Sequence, residues 1–264
     1  MFSTLLILFV LYILLFLLSL RLKDNSIVDI FWWAGFMVIA GLTFIDSMKD
    51  ISQILVTGLI SLWWLRIVSH IGLRKLKERR EDSRYAKWRA EWGSGWYFYL
   101  RSFLQVYILQ MILMLVVAMP ILVVNSWLWI TEQNPPIPLI REDSEQLIII
   151  IWAIVALAGL VFETIADRQL SEFIKVKKPG QIFTSWLYRY SRHPNYFGES
   201  VFWLGISLIS LQYSYLGLIG WMAITILLLF VSWVPLQEAR YAGRPEWEEY
   251  KKKTSVFVPW FPKK

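Results

Sequence analysis

The sequence predicts an all-α polytopic membrane protein with about seven transmembrane helices, its N-terminus outside and its C-terminus in the cytoplasm. Three observations predict this class. The 264 residues are 57% hydrophobic, the apolar residues gather into long runs, and the basic residues concentrate between certain of those runs. Soluble domains average about 45–50% apolar residues, and about 20 consecutive apolar residues cross the hydrocarbon core of a bilayer.

Seven apolar runs give the predicted spans in chain order. They cover residues 4–20, 27–45, 51–71, 103–124, 147–166, 196–211 and 216–235. The first run lacks a basic segment before it and a small-residue cleavage site after it, so we interpret it as a retained helix rather than a signal peptide. The prolines in residues 131–143 predict an extended connector, because proline blocks a helix. We expect a single membrane domain, residues 1–264.

The basic residues predict the orientation of the chain. They cluster in residues 74–89, 168–192 and 240–264, whereas the opposite loops carry little more than Lys49 and Arg141. Because positive loops face the cytoplasm, all three clusters fall on one side of a seven-span bundle. The net charge of +7 therefore indicates contact with anionic membrane lipids, and not with nucleic acid. We expect an integral membrane protein.

Composition limits the chemistry that is open to the chain. It contains no cysteine and only two histidines, His70 and His193. Disulfides, thiol catalysis and cysteine-ligated metals are thereby excluded. We expect no metal site.

Two acidic residues stand near the end of the fifth predicted span. Glu163 and Asp167 are four residues apart, and therefore on one face of a helix. Acidic side chains within a span are costly, and usually face a cavity or a partner. Alternatively, the pair marks the end of the helix and reaches interfacial water.

Residues 189–199 are dense in groups that bind anions and planar rings. Arginine can hold phosphates through two hydrogen bonds, asparagine both donates and accepts, and aromatic faces stack on bases. Pro194 is suited to begin a helix, and Gly198 permits close backbone approach. The alternative is a basic and aromatic belt at the membrane surface. Beyond the last span, residues 238–250 are amphipathic, and residues 256–262 are expected to lie at the membrane interface as an aromatic anchor. The amphipathic stretch is either a surface helix or a lid over a cytoplasmic pocket.

These motifs carry a family resemblance. The run from Asp167 through Lys178-Pro179-Gly180 and Arg192-His193-Pro194-Asn195-Tyr196-Phe197-Gly198-Glu199 to Trp203-Leu204-Gly205 resembles the C-terminal domain of the steroid 5-alpha-reductase family. It resembles more closely that family's bacterial branch of formerly unknown function (DUF1295-like), which implies a bacterial inner membrane. The tail, residues 238–259, fits a pattern that also occurs in sterol reductases. The resemblance is strong over residues 145–262.

The resemblance implies a membrane bundle that holds NADPH in a cavity facing the cytoplasm and reduces a carbon–carbon double bond of a lipid-like substrate from the bilayer. Residues 145–262 would bind the cofactor, and residues 1–125 would form the substrate side. Carried over by position, the cofactor-binding residues are Glu163, Asp167, Arg189, Arg192, His193, Asn195, Tyr196, Glu199, Glu238, Arg240 and Tyr250.

The first half departs from the family's pattern. Steroid 5-alpha-reductases polarise the substrate with a Gln-Glu pair in the second span and a tyrosine in the third. Here Asp29 stands in the second span, and the third has no tyrosine. We therefore take Asp29 and His70 as candidate proton donors, with Arg66 as an electrostatic stabiliser.

Structural interpretations of the same residues remain open. Asp29 and Arg66 would ease each other's burial as an ion pair, and His70 would only mark the interface. The polar stretch 81–85 is expected to be a solvated loop.

Two other classes of function also remain open. Isoprenylcysteine and phospholipid methyltransferases, which use S-adenosylmethionine, carry a similar Arg-His-Pro-x-Tyr run. A non-catalytic lipid-binding membrane protein is the third possibility.

Overall fold

The structure, a computed structural model, describes residues 2–69, 81–126 and 145–263, and every regular element in these ranges is helical. The first six helices are α1 Phe2–Leu22, α2 Ile27–Ile45, α3 Ile51–Ile67, α4 Ser83–Trp92, α5 Trp96–Val117 and α6 Met119–Asn125. The others are α7 Glu145–Val176, α8 Pro194–Ser210, α9 Leu218–Ile226, α10 Trp233–Tyr241 and α11 Pro245–Lys253. A π-helical turn, Leu227–Val231, continues α9.

Five stretches within the described ranges are long and apolar enough to cross a membrane. They are α1, α2, α5, residues Gln146–Val176 of α7, and Tyr215–Tyr241, which combines α9 and α10. The predicted class, an all-helical chain with membrane-length helices, is confirmed to this extent. The 17-residue α3 is a shorter apolar helix, and α8 also has 17 residues.

Helices α7 and α8 are held at very short distance by glycines. A Cβ atom on Gly198 would lie 2.6 Å from the backbone nitrogen of Glu163, and one on Gly205 would lie 2.4 Å from that of Ala156. A Cβ atom on Gly159 of α7 would lie 2.4 Å from the backbone nitrogen of Phe202 in α8. Pro194 occupies the first turn of α8, where its missing N–H costs no hydrogen bond. The predicted roles of Pro194 and Gly198 are therefore confirmed.

An aromatic core joins this helix pair to α2 and α3. The ring of Trp63 stacks on Phe202 with centroids 5.8 Å apart, and meets Trp203 and Phe36 edge-on. All four side chains are fully buried. Such aromatic contacts contribute about 0.5–1.5 kcal/mol each beyond the area they bury. They fix α3 against α8, one turn from Arg66.

Polar contacts close one end of the bundle, which we call the distal end. The amide of Gln53 donates to the carbonyl of Val124 at 3.1 Å, and Asn125 Nδ2 donates to the hydroxyls of Thr43 and Thr57. The hydroxyl of Tyr213 donates to Asp50 at 2.8 Å. These contacts join the ends of α2, α3 and α6 to the turn after α8, so the candidate site lies at the opposite end.

The structure corrects one expectation about the segment after α3. Residues 81–85 are not a solvated loop, because Asp82 accepts a hydrogen bond from the backbone N–H of Arg84 and caps α4. Tyr85, Trp88 and Trp92 follow at helical spacing, and Tyr85 is only 2% exposed. His70 and the predicted connector 131–143 lie outside the described residues.

We predict that Gly205→Ala lowers the free energy of unfolding by about 1–3 kcal/mol, because the added methyl group overlaps α7. Gly58→Ala is the matched control, since its Cβ would have no neighbour within 4 Å. Thermal unfolding in detergent measures both midpoints. Equal midpoints for the two variants would contradict the close contact between α7 and α8.

Candidate functional site

A buried arginine holds two carboxylates of α7. The guanidinium of Arg66, on α3, pairs with Glu163 at 2.5 Å and also with Asp167. The side chain of Arg66 is only 12% exposed, and that of Glu163 only 7%. A charge buried among apolar helices must be paired, so this contact ties α3 to α7 at the end of the bundle opposite the distal end.

Helix α8 contributes a third carboxylate and an amide to this group. Asn195 Nδ2 donates to the other oxygen of Asp167 at 3.1 Å. Glu199 is buried one turn further along α8 and interacts electrostatically with Arg66 and Asp167. We call these five residues, Arg66, Glu163, Asp167, Asn195 and Glu199, the Arg66 cluster.

Local structure explains why these side chains meet. Glu163 and Asp167 share one face of α7 because they are one helical turn apart. Asn195 and Glu199 have the same spacing on α8. Since Gly198 packs directly on the backbone of Glu163, the two faces are brought together with no bulky side chain between them.

Acidic groups outnumber basic groups in the Arg66 cluster. It contains three carboxyl groups and a single guanidinium group, all shielded from solvent. Moreover, Glu163 Oε2 and Glu199 Oε1 are buried and accept no hydrogen bond from the described residues, whereas Arg66 Nη1, which also makes no hydrogen bond, is in ion-pair contact with Glu163 Oε1. Buried acceptors without donors are costly. The cluster is therefore suited to a ligand that supplies hydrogen-bond donors or positive charge.

A second group lies at the start of α8. Glu238 accepts a hydrogen bond from Arg192 Nε at 2.8 Å and lies 3.3 Å from His193 Nε2. The His193 ring stacks on that of Tyr196, whose hydroxyl accepts from Gln237 at 2.5 Å. We call Arg192, His193, Tyr196 and Glu238 the Glu238 cluster. It fastens α10 to the first turn of α8, next to the Arg66 cluster.

The C-terminal tail packs on the same turn through backbone contacts. The N–H of Arg192 donates to the carbonyl of Ser255 at 2.8 Å, and its guanidinium donates to the carbonyls of Lys251 and Thr254. Tyr250 donates its hydroxyl to the carbonyl of Tyr188. Burial raises the pKa of Tyr250, so the phenol remains protonated and keeps this bond.

A third polar group surrounds Asp29. The hydroxyl of Tyr85 donates to Asp29 at 2.6 Å and accepts from Gln110 at 3.0 Å. Arg84 pairs with the other oxygen of Asp29 at 2.9 Å. Burial, and next the charge of Asp29, raise the pKa of Tyr85, so its phenol is protonated at neutral pH.

Residues 15–254 match the family described as "Protein of unknown function (DUF1295)". The chain belongs to this family. No curated protein and no solved structure matches the chain significantly.

The structure brings together most of the residues predicted for the cofactor, in two neighbouring clusters. Glu163, Asp167, Asn195 and Glu199 meet around Arg66, while Arg192, His193, Tyr196 and Glu238 meet beside them. Tyr250 lies in the tail that packs on α8. In contrast, Arg189 and Arg240 are exposed and belong to neither cluster.

The residues predicted for catalysis are not in one place. Arg66 lies among the cofactor candidates, Asp29 belongs to a separate group, and His70 lies outside the described residues. The interpretation that Asp29 and Arg66 are each other's main ion-pair partners is wrong. Arg66 is held by Glu163 and Asp167, and Asp29 by Arg84 and Tyr85.

Sequence reasoning missed Tyr85, Gln110 and Gln237. The aromatic spacing of Tyr85, Trp88 and Trp92 was the available signal for a packed helix in that segment. Gln110 and Gln237 carried no signal, because a single glutamine in an apolar or mixed helix has many possible partners. Within the described ranges no group of three or more acidic or histidine residues is arranged to hold a metal ion.

We predict that Arg66→Met lowers the free energy of unfolding by about 3–5 kcal/mol, because it leaves two buried carboxylates without a partner. Adding Glu163→Gln to that variant should restore part of the loss, since one of the unpaired charges is removed. Thermal unfolding in detergent measures both variants.

Arg168→Met is the control for this experiment. Arg168 pairs with Glu172 at 3.0 Å on the exposed side of α7, and such pairs contribute about 0–1 kcal/mol. If Arg66→Met and Arg168→Met had the same small effect, the Arg66 cluster would not be a buried ion-pair network.

Proposed function

We propose that the protein is an NADPH-dependent reductase of the inner membrane, acting on a carbon–carbon double bond of a hydrophobic substrate that arrives from the bilayer. The observation that carries this proposal is the Arg66 cluster. Four of its five members are residues that the steroid 5-alpha-reductase resemblance assigns to the cofactor, and the fifth is the arginine that pairs with two of them.

The cluster fits the nicotinamide end of the cofactor in its hydrogen-bonding chemistry. Glu163 Oε2 and Glu199 Oε1 are buried acceptors without donors among the described residues. A carboxamide NH₂ group offers two N–H donors, and the side-chain amide of Asn195 can both donate and accept a hydrogen bond. These three residues would therefore hold the carboxamide group.

The charge balance of the cluster fits the same ligand. When bound, NADPH supplies a hydride, and its ring gains a positive charge as the hydride leaves. Fixed carboxylates in a water-excluded site stabilise such a developing charge. The carboxyl oxygens of Glu163 and Glu199 would lie beside the ring, while Arg66 holds Asp167 in place through their ion pair.

Reduction of a double bond also needs a proton, and the geometry around Asp29 favours Tyr85 as its donor. The phenol donates its O–H to Asp29, which is itself held by Arg84, so Tyr85 would have to turn this O–H to the substrate as it gives up the proton. Asp29 would orient Tyr85 and stabilise its position. This group lies in residues 1–125, the half proposed to face the substrate.

For the membrane we propose seven spans, with the N-terminus outside and the C-terminus in the cytoplasm. The five long apolar stretches would be joined by α3 and α8, whose 17 residues suit packing inside the bundle. This arrangement places the Arg66 and Glu238 clusters on the side of the basic segments, and therefore facing the cytoplasm.

We predict that NADPH stabilises the detergent-solubilised protein and that Asn195→Ala abolishes this effect. A ligand at a hundredfold excess over its dissociation constant adds about 2.7 kcal/mol to the free energy of unfolding. Asn125→Ala is the matched control, because Asn125 holds the distal end through its amide. That variant should unfold earlier and yet keep the full shift with NADPH.

The same thermal assay with NADH and S-adenosylmethionine separates the classes of function. Stabilisation by S-adenosylmethionine alone would overturn the reductase and favour a methyltransferase. No shift with any of the three would favour a lipid-binding protein without catalysis.

We predict that Tyr85→Phe lowers the rate of enone-dependent NADPH oxidation by about 10²–10⁴-fold, the usual contribution of a general acid, without weakening NADPH binding. Tyr99→Phe removes an exposed hydroxyl and is the control. Absorbance at the NADPH band follows turnover with a panel of enones. An undiminished rate in Tyr85→Phe would exclude this residue as the proton donor.

A further inference from the structure

A basic groove lies on the C-terminal tail, and none of the five residues of the Arg66 cluster lines it. Its volume is about 400 Å³, and its basic lining residues are Arg192, Lys251, Lys252, Lys253 and Lys263. Lys251 and Lys253 come from the last turn of α11, and Lys263 comes from the irregular segment that follows. The groove thus gathers five cationic side chains.

The groove keeps an excess of positive charge after its ion pairs are counted. Arg192 is paired with Glu238, Lys251 with Glu248 and Lys253 with Glu249. Lys252 and Lys263 form no ion pair with the described residues, and both are exposed. These two lysines are therefore the ones available to an anion.

Backbone hydrogen bonds build the groove before any ligand arrives. The N–H of Lys263 donates to the carbonyl of Lys253 at 2.9 Å, and that of Trp260 donates to the carbonyl of Tyr190 at 2.9 Å. The contact of Arg192 with Ser255 fixes the other wall. Since these segments are already ordered, binding would cost little conformational entropy.

Apolar side chains line the same groove. Trp260 is 71% exposed and Phe261 78% exposed, although both are large and apolar. Val256 lines the groove as well and is partly exposed. Aromatic side chains of this kind are typical of the interface between membrane and water, where one face is apolar and the other polar.

We propose that this groove binds the phosphate group of an anionic phospholipid, with Trp260 and Phe261 against the upper part of its acyl chains. Lys252 and Lys263 attract the phosphate, and the aromatic residues favour an amphiphile over a free anion. The two lysines take no part in the proposed reductase chemistry, and Arg192 is the one basic lining residue that the groove shares with the Glu238 cluster. A bound lipid would fasten the tail, and with it the Glu238 cluster, to the membrane surface.

Equilibrium binding of fluorescent dioleoyl phosphatidylglycerol and phosphatidylcholine to the full chain in detergent tests this proposal. We expect tighter binding of phosphatidylglycerol, and a loss of about 25-fold in the double variant Lys252→Gln/Lys263→Gln, at about fivefold for each lysine. The double variant Lys177→Gln/Lys178→Gln removes the same charge from exposed positions outside the groove and should bind normally. Equal losses in the two double variants, or no preference for phosphatidylglycerol, would overturn the proposal.

Two further binding experiments use the unaltered protein. Raising the salt from about 0.1 M to about 0.5 M should weaken the binding of phosphatidylglycerol but not of phosphatidylcholine, because salt screens exposed charges. Inorganic phosphate and NADP⁺ should fail to displace the bound lipid. Displacement by either at a concentration near that of the lipid would assign the groove to a soluble phosphate instead.

Discussion

The close contact between α7 and α8 is the constraint on which the rest of the molecule depends. Glycines on both helices let the backbones touch, and any side chain there would collide with the opposite backbone. The contact places the acidic face of α7 against the amide and carboxylate of α8. Those groups are too polar to be buried alone among apolar helices, so Arg66 from α3 is needed to balance part of their charge.

Helices were predicted well from the sequence where one physical signal, a long run of apolar residues, dominated. Apolar runs predicted α1 to within two residues at each end and α2 at both of its ends, because a membrane-length helix has to be apolar throughout. Boundaries were wrong where aromatic or polar residues extend a helix. The predicted fourth span began at residue 103, whereas α5 starts at Trp96, and α7 runs ten residues past the predicted end at residue 166. In both cases the helix continues beyond its apolar portion.

The site was predictable in its members but not in its pairings. Family resemblance pointed to Glu163, Asp167, Asn195 and Glu199, and these do meet. The partner of Arg66 could not be derived from spacing, since Asp29 was an equally available acid on a neighbouring helix. Tyr85 was missed because its segment is rich in charge, and only the burial of its aromatic face shows that it belongs to the bundle.

The central claim is that the Arg66 cluster holds the nicotinamide of NADPH. The most direct measurement is an experimental density map of the full chain in a lipid nanodisc with NADPH, at a resolution that shows side chains. Our account predicts density for the planar ring beside Glu163, Asn195 and Glu199, with Arg66 still between Glu163 and Asp167. Ligand density elsewhere, or a closed Arg66 cluster without ligand at saturating NADPH, would contradict it.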